Sequence, residues 1–289
     1  MDTFKKIIAI MAAPILMSIS PVECRRIVDL SYDMDNNALT YPINPRLNYT
    51  VVHKGKYGTV PWLQFGNIEF GVHTGTHVDS PNHFSKGGLE PHQIRLERLM
   101  GPGVVINVKD KVKKDIDYAV TDKDLMNWEA KNGKIPKGAI VLMNSGWGAM
   151  YPDFARVFNS TTYKQDQSTL HYPGFHLNAA QWLVNNRDVN AIGVDTPSAD
   201  NGRSTTFPVH QLIMGEGILI VENVANMDKL PHNGAYIYLP MLKFKGASGA
   251  PARMFAAIED EGDRTNGAAT LSKHVSAVAI LFLVKLLVA

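Results

Sequence analysis

The apolar positions fall into short runs separated by turn residues. Val104–Val108, Ala139–Met143, Asn190–Asp195 and Ile218–Asn223 are compact, nearly continuous apolar segments. Their length and their β-branched content predict buried strands. Leu47–His53 alternates apolar with polar or small residues, and Trp62–Phe70 does so more loosely. The period of two predicts strands there, the second entering the main sheet. Arg26–Leu30, Tyr236–Lys243 with Leu242 and Phe244 prolonging it, and Ala252–Ile258 complete the predicted strands. Lys54–Gly58, Ser85–Gly88 and Gly246–Pro251 read as turns, and Lys109–Asp117 as a solvated connection.

Helical signals are fewer. Thr121 with Asp124 three residues on predicts an N-cap, for a helix running to about Asn132 and closed by Gly133. A second helix is expected over Asn178–Asn186, with Ala179, Ala180, Leu183 and Val184 facing inward. A third begins at Phe207. Tyr151–Asp166 is an irregular polar excursion, and no internal repeat is apparent. Strands interleaved with few helices predict an α/β fold, a mixed β-sheet core with flanking helices.

The two ends depart from this pattern. Lys5 and Lys6 precede an apolar run from Ile7 to Ile19, the layout of a secretory signal peptide over residues 1–24. Cleavage is expected between Ser18 and Arg25; a buried N-terminal helix is the alternative. The main domain then spans residues 25–260. Residues 261–289 form a linker and an apolar tail, Val275–Ala289, broken by Lys285. Small residues from Asn266, a spacer and a terminal apolar run fit a GPI-attachment signal with Asn266 as the attachment site. A tail anchor and a docked helix are the alternatives. A secreted or GPI-anchored protein on the extracellular face of the plasma membrane follows. Asn48-Tyr-Thr50 and Asn159-Ser-Thr161 are then glycan acceptor sequons.

Composition narrows the chemistry. At 289 residues the chain can bury a substantial core. Its formal net charge of +2 and the lack of a basic stripe argue against nucleic-acid binding. Cys24 is the sole cysteine, which excludes an intrachain disulfide and a cysteine metal cluster. Phosphate-loop glycine patterns are absent, and so is the G-x-S-x-G elbow of serine hydrolases.

One stretch concentrates reactive groups: His73-Thr-Gly-Thr-His77-Val-Asp79-Ser-Pro-Asn-His83-Phe84. Gly75, the threonines, Val78 and Pro81 oppose a helix. In an extended chain His73, Gly75, His77 and Asp79 share one side, with Gly75 leaving space between the histidines. Imidazole and carboxylate suit zinc, manganese or iron. Pro81 should end the strand, leaving His83 on the turn beyond, near the metal and off the ligand face. A surface strand with incidental histidines is the bland alternative.

HTGTHVDSPNHF resembles the signature of the cyclase or kynurenine-formamidase-like family of metal-dependent hydrolases, and the similarity extends over roughly Arg26 to Phe255. The resemblance implies a swivelling β/α/β-like cyclase fold. It implies one or two divalent ions, zinc or manganese, with His73, His77 and Asp79 at the first position. Asp79 would bridge to a second position held by His210 and Glu222. It implies hydrolysis of a C–N amide bond in a small aryl amide by metal-activated water, with His83 as general base and acid. N-formylkynurenine is the leading substrate; isatin or another cyclic amide or lactone is the alternative. A homodimer or higher oligomer is also implied. Asn144-Ser-Gly-Trp147 and Thr196–Asp200 are similar to further family segments. Trp62, Trp147 and Phe175 are the candidate aromatic walls, His171 and His176 further pocket groups, and Asp195 a structural carboxylate. A non-catalytic metal-binding surface protein is the competing class; it would have no need of His83.

Overall fold

The computed structural model describes residues 25–161 and 169–259. Ile27–Ile258 form the compact body. Thirteen strands occur among the described residues: β1 (Arg25–Asp29), β2 (Asn48–Tyr57), β3 (Val60–Glu69), β4 (His77–Asp79), β5 (Met100–Asn107), β6 (Ala119–Val120), β7 (Ala139–Asn144), β8 (Gly174–Phe175), β9 (Val189–Val194), β10 (Leu219–Glu222), β11 (Ala235–Tyr238), β12 (Gly249–Pro251) and β13 (Phe255–Glu259). Nine of them make one mixed sheet in the order β1-β13-β11-β5-β7-β9-β10-β4-β12. Its centre, β5, β7, β9 and β10, is parallel. Helices Asp122–Asn132 and Leu177–Asn186 lie between the parallel strands in sequence, as crossovers require.

Alternation along the central strands divides the core. On β7, Ala139, Val141 and Met143 join the apolar cluster that includes Leu125, Leu183 and Ile213 from the helices. Ile140 and Leu142 join the opposite cluster, with Leu219, Val221 and Ile237. A strand buried on both faces reads as a continuous apolar run, which is why these segments were legible. The cap on Asp122–Asn132 forms as expected: the Asp124 amide donates to Thr121 Oγ1, and the Asp124 carboxylate accepts from the Thr121 amide. Ala179, Ala180 and Leu183 are buried on their helix, with Val184 partly so.

Several expectations are corrected. β2 continues to Tyr57, so Lys54–Gly58 is mostly strand and the turn is Gly58-Thr59. β3 pairs with β2 in a separate two-stranded sheet and does not enter the main one. Alternation alone does not specify the partner strand. Gly249–Pro251 is a strand, not a turn: it pairs antiparallel with β4. β11 stops at Tyr238, because Pro240 removes a ladder donor. Lys109–Val112 is a single helical turn inside the expected loop.

The segments expected to be a signal peptide and a GPI-attachment tail, with Asn266, lie outside the described residues. No helix among the described residues is long and apolar enough to cross a membrane. Asn48 and Asn159 are both exposed.

Candidate metal centre

Register builds the site. β4 lies between β10 and β12, with His77 opposite Glu222 and Asp79 opposite Gly249. Val78 belongs to the cluster on the far face of the sheet. His77 and Asp79 therefore face the helical side, and Glu222 joins them there while Leu219 and Val221 point away. Helix Pro208–Gly215 brings His210 over the same face.

The strand is shorter than predicted. It covers only His77–Asp79, and His73 sits on the bend leading into it. Gly75 has φ +61°, and a Cβ there would fall 2.6 Å from Met34 Sδ. The glycine serves a left-handed bend and a close approach rather than a spacer in a strand. The bend still returns His73 to Asp79, with Nδ1 2.6 Å from Oδ1.

The predicted ligand atoms converge. His77 Nε2 lies 3.2 Å from Asp79 Oδ1 and 3.3 Å from Glu222 Oε2. His210 Nε2 lies 3.5 Å from Asp79 Oδ2 and 3.2 Å from Glu222 Oε1. Two compact triads share Asp79: His77, Asp79 and Glu222, and His73, Asp79 and His83. A ring nitrogen of His83 thus lies within 4.8 Å of ligand atoms of His73 and Asp79, although His83 follows the strand on the turn Pro81–His83. Its ring stacks on His73 at 4.1 Å between centroids.

The outer partners orient the rings. His77 Nδ1 lies 2.9 Å from the Gly75 carbonyl, which can only accept, so this nitrogen carries a proton and Nε2 is the atom left facing the carboxylates. His210 Nδ1 is 2.7 Å from Asp200 Oδ2. Asp200 also accepts from the Val209 and His210 amides, fixing both the ring and the helix start. His73 Nε2 meets Ser248 Oγ at 2.8 Å. Asp200 and Ser248 were not picked out by sequence reasoning. The signal for Asp200 was present in the segment Thr196–Asp200; Ser248 lay in a stretch read as a turn.

These residues fit a divalent cation. His77 Nε2 and Asp79 Oδ2 are buried and make no hydrogen bond. Two buried carboxylates side by side demand positive charge, from protonated imidazoles or from a cation in their place. Burial opposes a charge on His77, but the Asp79 carboxylate beside it outweighs this and lifts the imidazole to about 10. His210 is raised well above its usual range, burial again being outweighed, here first by its hydrogen bond to Asp200 and then by the Asp79 and Glu222 carboxylates beside it. Asp79 and Glu222 are lowered despite burial and their mutual repulsion, Asp79 chiefly by His73 and His77 and Glu222 chiefly by His210 and His77. His83 goes the other way: burial pushes it down to about 4. It is a neutral base beside a charged cluster.

A cavity of about 260 Å³ opens on the site. Tyr41, Phe84 and Phe207 supply its aromatic walls, with His83, His210 and Glu222 beneath. The aromatic residues expected there lie elsewhere. Trp62 is 61% exposed on β3. Trp147 is buried in the core, its Nε1 donating to the Val157 carbonyl. Phe175 is buried in the same core on β8. Bulk and aromaticity marked these residues, and core packing accounts for Trp147 and Phe175. His171 pairs with Asp117, and His176 caps helix Leu177–Asn186; neither lines the cavity. Asp195 accepts from the Ser145 amide and hydroxyl and is not a ligand in this arrangement.

Comparison with known proteins agrees with this geometry. The family model described as "Putative cyclase" matches residues 28–201, more than half of the chain. The chain belongs to the cyclase family. An isatin hydrolase of Roseibium aggregatum is 29% identical over 208 residues, 68% of this chain and 76% of that protein. A kynurenine formamidase of Bacillus cereus is 26% identical over 229 residues, 78% of this chain and 94% of that protein. Among solved structures, isatin hydrolase A of Ralstonia solanacearum superposes with a TM-score of 0.74 at 29% identity, covering 81% of this chain and 92% of that one. A cyclase-family member thus carries a hydrolase-type metal-binding cluster on β4 and β10, next to the edge strand β12 of a mixed sheet flanked by helices.

Proposed function

We propose that the protein hydrolyses the C–N amide bond of a small aryl amide in a metal-dependent reaction. The observation that carries this reading is the pairing of a converging imidazole–carboxylate cluster with a neutral histidine, His83, at the same cavity. His77, Asp79, Glu222 and His210 would hold the cation, with His73 at the shared carboxylate. A bound zinc or manganese ion supplies a water that is acidic near neutral pH and polarises a carbonyl. His83, neutral and with an available nitrogen, accepts the proton of the attacking water and returns it to the departing nitrogen. Tyr41, Phe84 and Phe207 clasp the aryl ring and exclude bulk water.

N-formylkynurenine and isatin both present an aryl amide carbonyl of suitable size. The expectation from sequence put N-formylkynurenine first. The identities favour the cyclic amide, since the isatin hydrolases are the more similar of the two groups. The experiment is turnover of both compounds by wild type and His83→Ala, with metal content measured on the same samples. His83→Ala keeps its metal and loses roughly 10²–10⁴-fold in rate. Metal binding without turnover of any aryl amide would instead support the non-catalytic surface protein. Loss of metal in His83→Ala would make His83 a ligand.

The same reading places the protein in the secretory pathway, tethered through a GPI anchor, as a homodimer or higher oligomer. The apolar ends support the tether and the family resemblance supports the oligomer. Expression in animal cells followed by phosphatidylinositol-specific phospholipase C releases a GPI-anchored chain. Persistent membrane attachment with the Val275–Ala289 tail retained refutes it.

A further inference from the structure

A second cavity, of about 380 Å³, opens at the carboxyl ends of the parallel strands and shares no lining residue with the metal pocket. Chain segments leaving all four strands contribute to it: Lys109 after β5, Asn144 and Gly146 from β7, Asp195 after β9, and Val224 and Asn226 after β10. In α/β sheets this edge is where ligands bind, and the volume lies in the range of small-molecule sites. Asn144 and Gly146 of the segment Asn144-Ser-Gly-Trp147, which the metal pocket does not use, line it.

The polar groups of this cavity are poised toward something absent from the protein itself. Asn144 is 5% exposed, yet its side-chain amide makes no hydrogen bond to any described residue. Lys109 and Asp228 line the same cavity and form no ion pair, with each other or with any described residue. Lys109 lies across Gly146, whose φ is +79°; a Cβ there would fall 3.1 Å from Lys109 Cδ. At the base, the buried Asp195 carboxylate takes donors from Ser145 and faces the cavity. Tyr32 closes the side, its hydroxyl donating to the Gly148 carbonyl. A cation, two acids and an amide without a partner around one cavity match a ligand carrying both charges.

We propose that this cavity binds a small zwitterion of the α-amino-acid class. Lys109 takes the carboxylate, Asp228 and Asp195 face the ammonium group, and Asn144 hydrogen-bonds the carboxylate end. The site is independent of the reaction proposed above and of its metal.

Isothermal titration of the full chain with L-phenylalanine tests it, with phenethylamine and N-acetyl-L-phenylalanine as probes lacking one charge each. L-phenylalanine binds saturably, equally well in metal-loaded and chelator-treated protein. Each single-charge probe binds about tenfold or more weakly, the loss of one charge-assisted contact. Lys109→Met and Asp228→Asn, both at accessible positions, each weaken L-phenylalanine by about tenfold and leave metal content unchanged. Absence of saturable binding overturns the proposal. So does equal affinity for the single-charge probes, dependence on the metal, or unaltered affinity in both variants.

Discussion

Removing the Asp200 carboxylate should separate what it does for the fold from what it does for the metal. Asp200 is 2% exposed and accepts three hydrogen bonds: from the Val209 amide at 3.0 Å, the His210 amide at 3.0 Å, and His210 Nδ1 at 2.7 Å. Helix Pro208–Gly215 has no capping side chain of its own, since its N-cap is Phe207 at φ +50°. Asp200 caps it from outside the helix. Asp200→Ala leaves two buried N–H groups without acceptors, a cost of roughly 2–4 kcal/mol in the metal-free protein. It also frees the His210 ring to rotate or change tautomer, which costs about 10–100-fold in metal affinity. Asp200→Asn keeps one acceptor oxygen but loses the charge, and its amide group opposes one of the three donors. It should fall between wild type and Asp200→Ala on both measures. Urea denaturation of the chelated protein gives the first quantity, and competition against a chromophoric chelator gives the second. An Asp200→Ala variant that is destabilised yet binds metal within twofold of wild type refutes the orienting role. A variant unchanged on both counts refutes the geometry.

Three other outcomes follow from the same site. Gly249→Ala places a Cβ 2.9 Å from His73 Cε1 and 2.8 Å from the Val78 carbonyl oxygen, so it should cost roughly 1–3 kcal/mol and lower metal occupancy, read by thermal melting and elemental analysis. Metal binding near pH 7 should release roughly one to two protons, because His77 is raised to about 10 and His210 is also raised; calorimetry in buffers of different ionisation enthalpy gives the count, and zero release contradicts the charge balance. His83 is lowered to about 4 and must be neutral to act as base, so kcat/KM should hold from pH 7 down to about pH 5 and fall only as the ring protonates; a limb centred on the ordinary 6.5 in metal-saturated enzyme argues against His83 as that base.

The parts of this fold that could be read from sequence are those whose signal is local. β7 and β9 announced themselves because both faces are buried, which leaves an uninterrupted apolar run. The helix after Thr121 announced itself through a reciprocal cap. Long-range partners were not legible. β3 alternates as a half-buried strand does, yet among the described residues it pairs with β2 alone, and Trp62, Phe65 and Ile68 remain exposed. Gly249–Pro251 reads as a turn on composition, and only its pairing with β4 makes it a strand. At the site, His77 and Asp79 were placed on one face by the period of two. His73 reaches the same carboxylate by another route, around the left-handed Gly75. His210 was suggested by family resemblance alone, whereas Glu222 also stood out as a carboxylate ending a predicted buried strand; register then shows why the glutamate serves, since it stands opposite His77.

The opposite shifts of His77 and His83 supply the chemical logic of the cluster. Both rings are largely buried, and burial by itself disfavours charge on each. His77 touches Asp79 and Glu222 and is held charged in the absence of a metal, so its Nε2 occupies the position from which a cation would displace a proton. His83 touches the neighbouring ring of His73, and the attraction of Asp79 does not offset its burial. The protein therefore sets two identical side chains to different protonation states through their contacts. One is suited to exchange its proton for a metal ion. The other remains free to take a proton from water, and environments that push paired groups apart in this way are how a single site separates binding from acid–base work.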